Sequence, residues 1–224
     1  MRPNIKHISC TAIRAAALLP LAGLFAAPAS ADDWSGGFAG VTAGQSWIKE
    51  QSPAVSITLP TFAPVVDSTY RGDGQTLGAI AGYRMEAGRL VLGGEVDADW
   101  SNARAEVSSP ASSLSSRITW QGSARLTAGV RTGPVLLFAT GGLGLARTEH
   151  SANFGLGAPL YRWSRTATGW VAGAGLELDA GRFHPRLEYR HADYRATETA
   201  LGASALFRRN VSSDSLRLSA LVAF

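Results

Sequence analysis

The sequence predicts an all-β fold: an eight-stranded antiparallel up-and-down transmembrane β-barrel over residues 32–224, preceded by a cleaved signal peptide over residues 1–31. Three observations carry that prediction. Eight stretches alternate apolar residues with small or polar ones at a period of two, the pattern of strands with two unlike faces. The connections between these stretches alternate long and short, as in barrels with long loops on one side of a membrane and tight turns on the other. The last stretch, Ser215 to Phe224, puts Leu216, Leu218, Ala220, Val222 and Phe224 on one face and ends on an aromatic suited to an interfacial girdle.

The leader comes first. Arg2, Lys6 and Arg14 form a basic start, and Ala15 to Ala27 is apolar but too short to span a bilayer. Ala29-Ser30-Ala31 supplies a small-residue cleavage site, so the mature chain is expected to begin at Asp32. Cleavage turns 21 basic against 17 acidic residues into 18 against 17, and the charge balance then gives no argument for a nucleic-acid partner. The single cysteine, Cys10, leaves with the leader, which removes disulfides, thiolate metal sites and cysteine nucleophiles from the mature domain.

The first strand is expected from about Ser35 to Trp47, with Ala39, Val41 and Ala43 on one face and Gly40, Thr42 and Gly44 on the other. Ile48 to Asp73 contains Pro53, Pro60 and Pro64, so it reads as a long, apolar loop, part of which could form a hairpin above the barrel. The second strand spans about Gly74 to Met85, and Glu86-Ala87-Gly88 is a short turn. The third, about Arg89 to Asn102, alternates Leu92, Val96, Ala98 and Trp100 with Glu95, Asp97 and Asp99. A serine-rich loop is expected from Ala103 to Ser116.

The fourth strand, about Arg117 to Arg131, sets Ile118, Trp120, Ala124 and Leu126 against Arg117, Thr119, Gln121 and Arg125. After the turn Thr132-Gly133-Pro134, the fifth strand runs from about Val135 to Thr148, and a Gly-containing loop leads to about Trp163. The sixth strand, about Arg165 to Leu178, points Glu177 opposite to Trp170 and Leu176. Ala180-Gly181 starts the third short turn. The seventh strand, about Arg182 to Tyr194, alternates Leu187 and Tyr189 with Arg186, Glu188 and Arg190. A longer loop, Arg195 to Asn210, precedes the last strand.

A soluble lipocalin-type barrel would alternate with the opposite sense, apolar inside and polar outside. Here the polar faces carry the charges and many glycines, and the Leu and Trp faces are better placed against lipid. Several segments then carry a family resemblance: Trp34-x-Gly36-x-Phe38-x-Gly40, LGGEVDADW, LFATGGLGLA, GWVAGAGLELD, PRLEYRHADY and the terminal strand ending in Phe224. Together they resemble the small outer-membrane β-barrel proteins of alphaproteobacteria, within the OmpA-like membrane-barrel superfamily. The resemblance covers nearly all of residues 32–224 and implies a location in the cell outer membrane. Its long, apolar first loop departs from the family pattern, and no peptidoglycan-binding domain follows the barrel.

The inward polar set reads as a charge network in the lumen: Glu95, Asp97, Asp99, Arg117, Arg125, Glu177, Arg186, Glu188, Arg190 and Arg217, with Arg84, Arg131 and Asp179 on the same faces. Acids lie mainly on the third and sixth strands and arginines on the fourth and seventh, so neighbouring strands offer opposite charges. An eight-stranded barrel is just wide enough to be filled by such side chains, which makes a packed ionic core the first reading and a narrow porin-like channel for ions or small solutes the alternative. Trp34, Phe38, Trp100, Tyr189 and Phe224 are expected in aromatic belts at the membrane interfaces. Catalysis is not expected: His150, His184 and His191 are single, and neither a G-x-S-x-G segment nor a phosphate loop occurs. No cofactor is expected. The expected function is structural, with surface loops that contribute to envelope integrity and surface interactions. The expected partners are outer-membrane lipid and lipopolysaccharide, a barrel-assembly machinery through the C-terminal strand, and host or phage through the loops, with Arg208-Arg209 offered to lipopolysaccharide phosphates.

Overall fold

The computed structural model describes residues 34–52, 68–109, 112–153, 161–195, 199–200, 206–207 and 210–224. The expected signal peptide, the middle of the first long connection and Arg208-Arg209 lie outside the described residues. The strands are β1 (Gly36–Ser52), β2 (Ser68–Ala87), β3 (Leu90–Ser101), β4 (Arg104–Ser109), β5 (Ser112–Thr132), β6 (Val135–Asn153), β7 (Tyr161–Leu178), β8 (Phe183–Arg195), β9 (Thr199–Ala200), β10 (Leu206–Phe207) and β11 (Asn210–Ala223).

Eight of these form the wall in the order β1, β11, β8, β7, β6, β5, β3, β2, and β2 returns to β1. All pairings are antiparallel. The ladder from Phe38↔Ala223 to Gln51↔Asn210 closes the cylinder, so no strand edge is left to lipid. The eight-stranded up-and-down transmembrane barrel read from the alternation is the observed fold.

Parts of all four stretches expected as long loops are strand instead: β6 and β7 stay paired up to Ala152↔Tyr161, β9 and β10 form a small pair in the last connection, and the first two are extended most. β1 and β2 stay paired up to Ser52↔Ser68, so both ends of the proline-containing segment extend the barrel wall. The serine-rich segment is also paired: β3 breaks at Asn102 and Ala103 and continues as β4, which pairs with β2 at Gly72↔Ala105 and with β5 at Arg104↔Arg117. The reason is burial. Ala103 and Ala105 turn inward and join a buried cluster with Ile48, Ile118 and Val171. The wall therefore stands tall on the loop side. β5 has 21 residues, roughly twice the length a tilted strand needs to cross a bilayer.

The other end is closed tightly. Ala87↔Leu90 and Thr132↔Val135 leave two-residue turns, with Gly88 and Gly133 first in each at φ 66° and 59°. A positive φ at that position matches the twist of the strands, and glycine adopts it without strain. At the third turn the Gly181 backbone N–H donates to Asp179 Oδ1 at 2.8 Å. Both described chain ends lie at this short-turn end, because Gly36 pairs with Arg84 and the backbone of Phe224 bonds that of Gly37.

Candidate functional site

The lumen is built by the inward parity of each strand. Of the ten residues assigned to the charge network, nine are buried inside the barrel: Glu95, Asp97, Asp99, Arg125, Glu177, Arg186, Glu188, Arg190 and Arg217. Arg117 is a correction, since it is exposed on the outer face. The ladder between β5 and β6 shifts register between Ile118 and Trp120. One extra residue in a strand reverses the facing of everything beyond it, so Ile118 turns inward and Arg117 outward while Trp120 stays outside.

Five arginines and five carboxylates fill the middle of the lumen, counting Arg84 with the nine. Their pairing runs across the barrel more than along it. Arg84 on β2 meets Glu177 on β7 at 2.8 Å. Arg186 on β8 binds both oxygens of Glu95 on β3, at 2.8 and 3.2 Å. Arg190 on β8 binds Asp97 Oδ1 through two nitrogens at 3.0 and 2.8 Å. In all three pairs the partners stand four strands apart in either direction around the wall. Arg125 joins the layers, bonding Glu95 at 2.7 Å, Asp97 at 3.2 Å, and Glu188. Arg217 bonds Asp99 and donates to Thr42 Oγ1 at 2.9 and 3.1 Å. The planar guanidinium suits this work because it donates to two or three acceptors in one plane. Among the described residues of the lumen, only Glu95–Arg125 is an ion pair between register partners on adjacent strands of the kind the strand order implies.

The network is braced by neutral groups that charge patterning overlooked. Ser123 Oγ donates to Asp97, Thr140 Oγ1 accepts from Arg125 at 3.2 Å, and Thr42 accepts from Arg217. Their signal in the sequence was their parity with the charges.

Trp34 and Phe38 are the second correction. Both were expected at the membrane interface, and both are buried in the lumen, 3% and 2% exposed. They share even-numbered parity with Thr42 on β1, which faces inward. The Arg84 guanidinium lies 5.4 Å from the Trp34 ring centre and 4.3 Å from that of Phe38, and Arg186 lies 4.0 Å from Phe138. These are cation–π contacts between buried groups. Glycines facing them make the room: a Cβ on Gly82 would fall 2.5 Å from the Phe38 ring, and one on Gly175 2.7 Å from the Phe138 ring. Above the ionic layer lies an apolar cluster of Ile48, Ile118, Val171, Tyr194 and Val211, interleaved with buried polar side chains such as Ser46, Ser213 and Gln121.

The histidines fall in three settings. His184 is buried at the short-turn end, with Nδ1 3.0 Å from Glu177 and Nε2 3.0 Å from the Gly181 carbonyl. His150 is buried beside Thr148. His191 faces outward and pairs with Asp214 at 2.8 Å. Among the described residues no group of three or more His, Cys, Asp or Glu side chains is placed to hold a metal ion.

The outer wall has the reverse character. Leu77, Leu126, Leu143 and Leu218 are 61–75% exposed. Trp47, Trp100 and Trp120 stand toward the loop side of this outer face, Trp170 and Tyr189 lie exposed within it, Trp170 beside its register partner Leu143, and Tyr83, Phe183 and Phe224 mark the short-turn side. Phe224 covers Gly37, where a Cβ would come 2.6 Å from its ring.

A closed antiparallel cylinder with ions inside, oil outside and aromatic rims is a membrane-spanning barrel of the bacterial outer membrane. Residues 16–221 match the model of the family described as "Outer membrane protein beta-barrel domain", and the chain belongs to that family. It resides in the outer membrane, with its wall in lipid. It is 32% identical over 161 residues to the 31 kDa outer-membrane immunogenic protein of Brucella melitensis, covering 68% of this chain and 67% of the relative. It is 30% identical over 162 residues to the 25 kDa outer-membrane immunogenic protein of Brucella canis, covering 72% and 66%. The chain thus spans about two thirds of the length of these relatives. Solved structures similar to it include OprG of Pseudomonas aeruginosa, at 11% identity with a TM-score of 0.48 over 87% of this chain and 99% of that one. Ail of Yersinia pestis aligns at 15% identity with a TM-score of 0.39 over 83% and 99%.

Proposed function

We propose that this protein is a structural, non-conducting barrel of the outer membrane that displays its loops at the cell surface. The observation that carries the reading is the lumen: oppositely charged side chains meet wall to wall at mid-depth, with apolar clusters on both sides of them. A hydrated ion would have to break several buried ion pairs to pass, and each is costly to separate. We read residues 1–31 as the exported chain's signal peptide, removed before folding. The C-terminal strand is the segment offered to a barrel-assembly machinery, and the outer wall and loops meet lipopolysaccharide and surface partners such as host or phage. The names of the Brucella relatives, outer-membrane immunogenic proteins, support a surface-exposed role. A non-catalytic reading is supported by His184, whose two ring nitrogens are both engaged within the packed lumen.

The experiment is conductance of the refolded protein in planar bilayers. The reading predicts a baseline without unitary steps. Reproducible single-channel currents that track protein concentration would replace it with the narrow-channel alternative.

A further inference from the structure

The outer wall is not uniform. On the face formed by β5 to β8, and bordered by Asp97 and Ala98 of β3, a groove opens just below the loop-side aromatic rim. Gly122 and Ala124 form its floor, Trp120 one side, Leu143 and Leu145 the other, and Arg195 its rim. The floor is low because β5 carries Gly122 and Ala124 where β6 carries Leu145 and Leu143, and because Ala98 of β3, the register partner of Gly122, is also small. Gly122, Leu145, Thr168 and Arg195 occupy one continuous row of register partners across the four strands.

Basic side chains stand over the mouth. Arg147 is the register partner of Trp120, and Arg117 lies beyond the bulge on the same outer face. Arg147, Arg117 and Arg195 are exposed. The carboxylates on this wall are Glu149 and Asp193, and among the described residues neither is ion-paired with the three arginines. The printed contact of Arg147 is with Ser164 Oγ, at 3.3 Å. The opposite wall at this height differs: on β1, Gln45 bonds Asp73.

Glu149 is the register partner of Arg117 and Asp193 stands two residues from Arg195, yet among the described residues none of the three guanidinium groups is in ion-pair contact with them, and an apolar trough that ends under such groups matches a lipid with an acyl chain and a phosphate at its root. Arginine binds phosphate with charge-assisted, often bidentate hydrogen bonds. The mouth lies on the loop side, which faces the outer leaflet. We infer that the β5–β8 face holds one lipopolysaccharide molecule, with an acyl chain along Gly122 and Ala124 and a lipid A phosphate between Arg147 and Arg195. This rests on the proposed contact with lipopolysaccharide and assigns it a place on the wall.

The test measures lipid retained by the folded, detergent-solubilised protein in native mass spectrometry. The probes are bisphosphorylated lipid A, dephosphorylated lipid A and phosphatidylglycerol. The variants are Ala124→Phe, which fills the trough, and the pair Arg147→Gln with Arg195→Gln. Val41→Phe on β1, across the barrel, is the control, and heat-modifiable gel migration confirms that each variant is folded. The expected result is preferential retention of bisphosphorylated lipid A by the wild type, lowered about tenfold by either set of changes, equivalent to one decade in affinity, and unchanged by Val41→Phe. Equal retention of phosphatidylglycerol overturns the choice of lipid. Retention by the trough and arginine variants equal to wild type overturns the site while leaving the general contact standing. If the wild type retains no lipid A, the contact itself fails and the site with it.

Discussion

Arg186 reaches across the barrel axis to bind both carboxylate oxygens of Glu95, four strands away in either direction around the wall. The ladder neighbour of Arg186 on β7 is Glu177, yet Glu177 binds Arg84 from its own far wall. The lumen is therefore braced by struts that cross it, and opposite walls are tied together by ions.

Removing one end of a strut takes a partner from a buried charge. Glu95→Gln takes one carboxylate from Arg186 and from Arg125 at once, leaves Arg125 with Asp97 and Glu188 and Arg186 with Glu188, and is expected to cost about 3 kcal/mol, the lower end of the usual loss when one member of a buried pair is removed. Urea unfolding from lipid vesicles measures it. Glu95→Leu combined with Arg186→Met should recover most of the loss, since both charges go together. If Glu95→Gln leaves the urea midpoint where it was, the struts do not brace the fold.

The outer wall is sensitive in the opposite sense. Leu126 is 75% exposed on the lipid face and lies midway between the Trp120 rim and the Thr132 turn. Leu126→Arg is expected to destabilise the barrel by about 2–4 kcal/mol, whereas Gln45→Arg at the loop-side rim should cost about 0–1 kcal/mol. The same urea assay compares them, and equal costs would contradict the placement of the lipid belt.

Tryptophans report both environments. In single-tryptophan proteins, Trp100 and Trp120, which are register partners on the outer rim, should be quenched by lipids brominated near the headgroup. Trp34, enclosed with Arg84 and His184, should be untouched by bromines at any depth. Quenching of Trp34 would return it to the membrane interface.

Much of this was legible in the alternation of single strands. The facing of Leu92 against Glu95, or Leu218 against Arg217, follows from a period of two, and the order of strands follows from short turns. The errors have local causes. The register shift by Trp120 reverses the facing of Arg117, and the residues around it carry no unusual composition to announce the shift. Trp34 and Phe38 were assigned by the habit of aromatics in membranes, although their parity with Thr42 already pointed inward. The Asn102-Ala103 break resembled a loop because serine-rich sequence follows it, while Ala103 and Ala105 continue the inward face. Pairing across the axis was not legible, because adjacency in sequence orders neighbours around the wall and says nothing about which side chains meet at its centre.

Thiol accessibility probes the closed lumen most directly. Cys10 is the one cysteine of the sequence, so with Cys10 replaced single cysteines can be placed cleanly. Thr127 and Thr140 face inward and are 7% and 6% exposed, while Lys49 is exposed near the loop-side rim. A charged, membrane-impermeant thiosulfonate added to the folded protein should label Lys49→Cys rapidly and leave Thr127→Cys and Thr140→Cys unlabelled until urea opens the barrel. Labelling of the two inward positions in the folded state, at a rate near that of Lys49→Cys, would show a water-filled lumen and contradict the account.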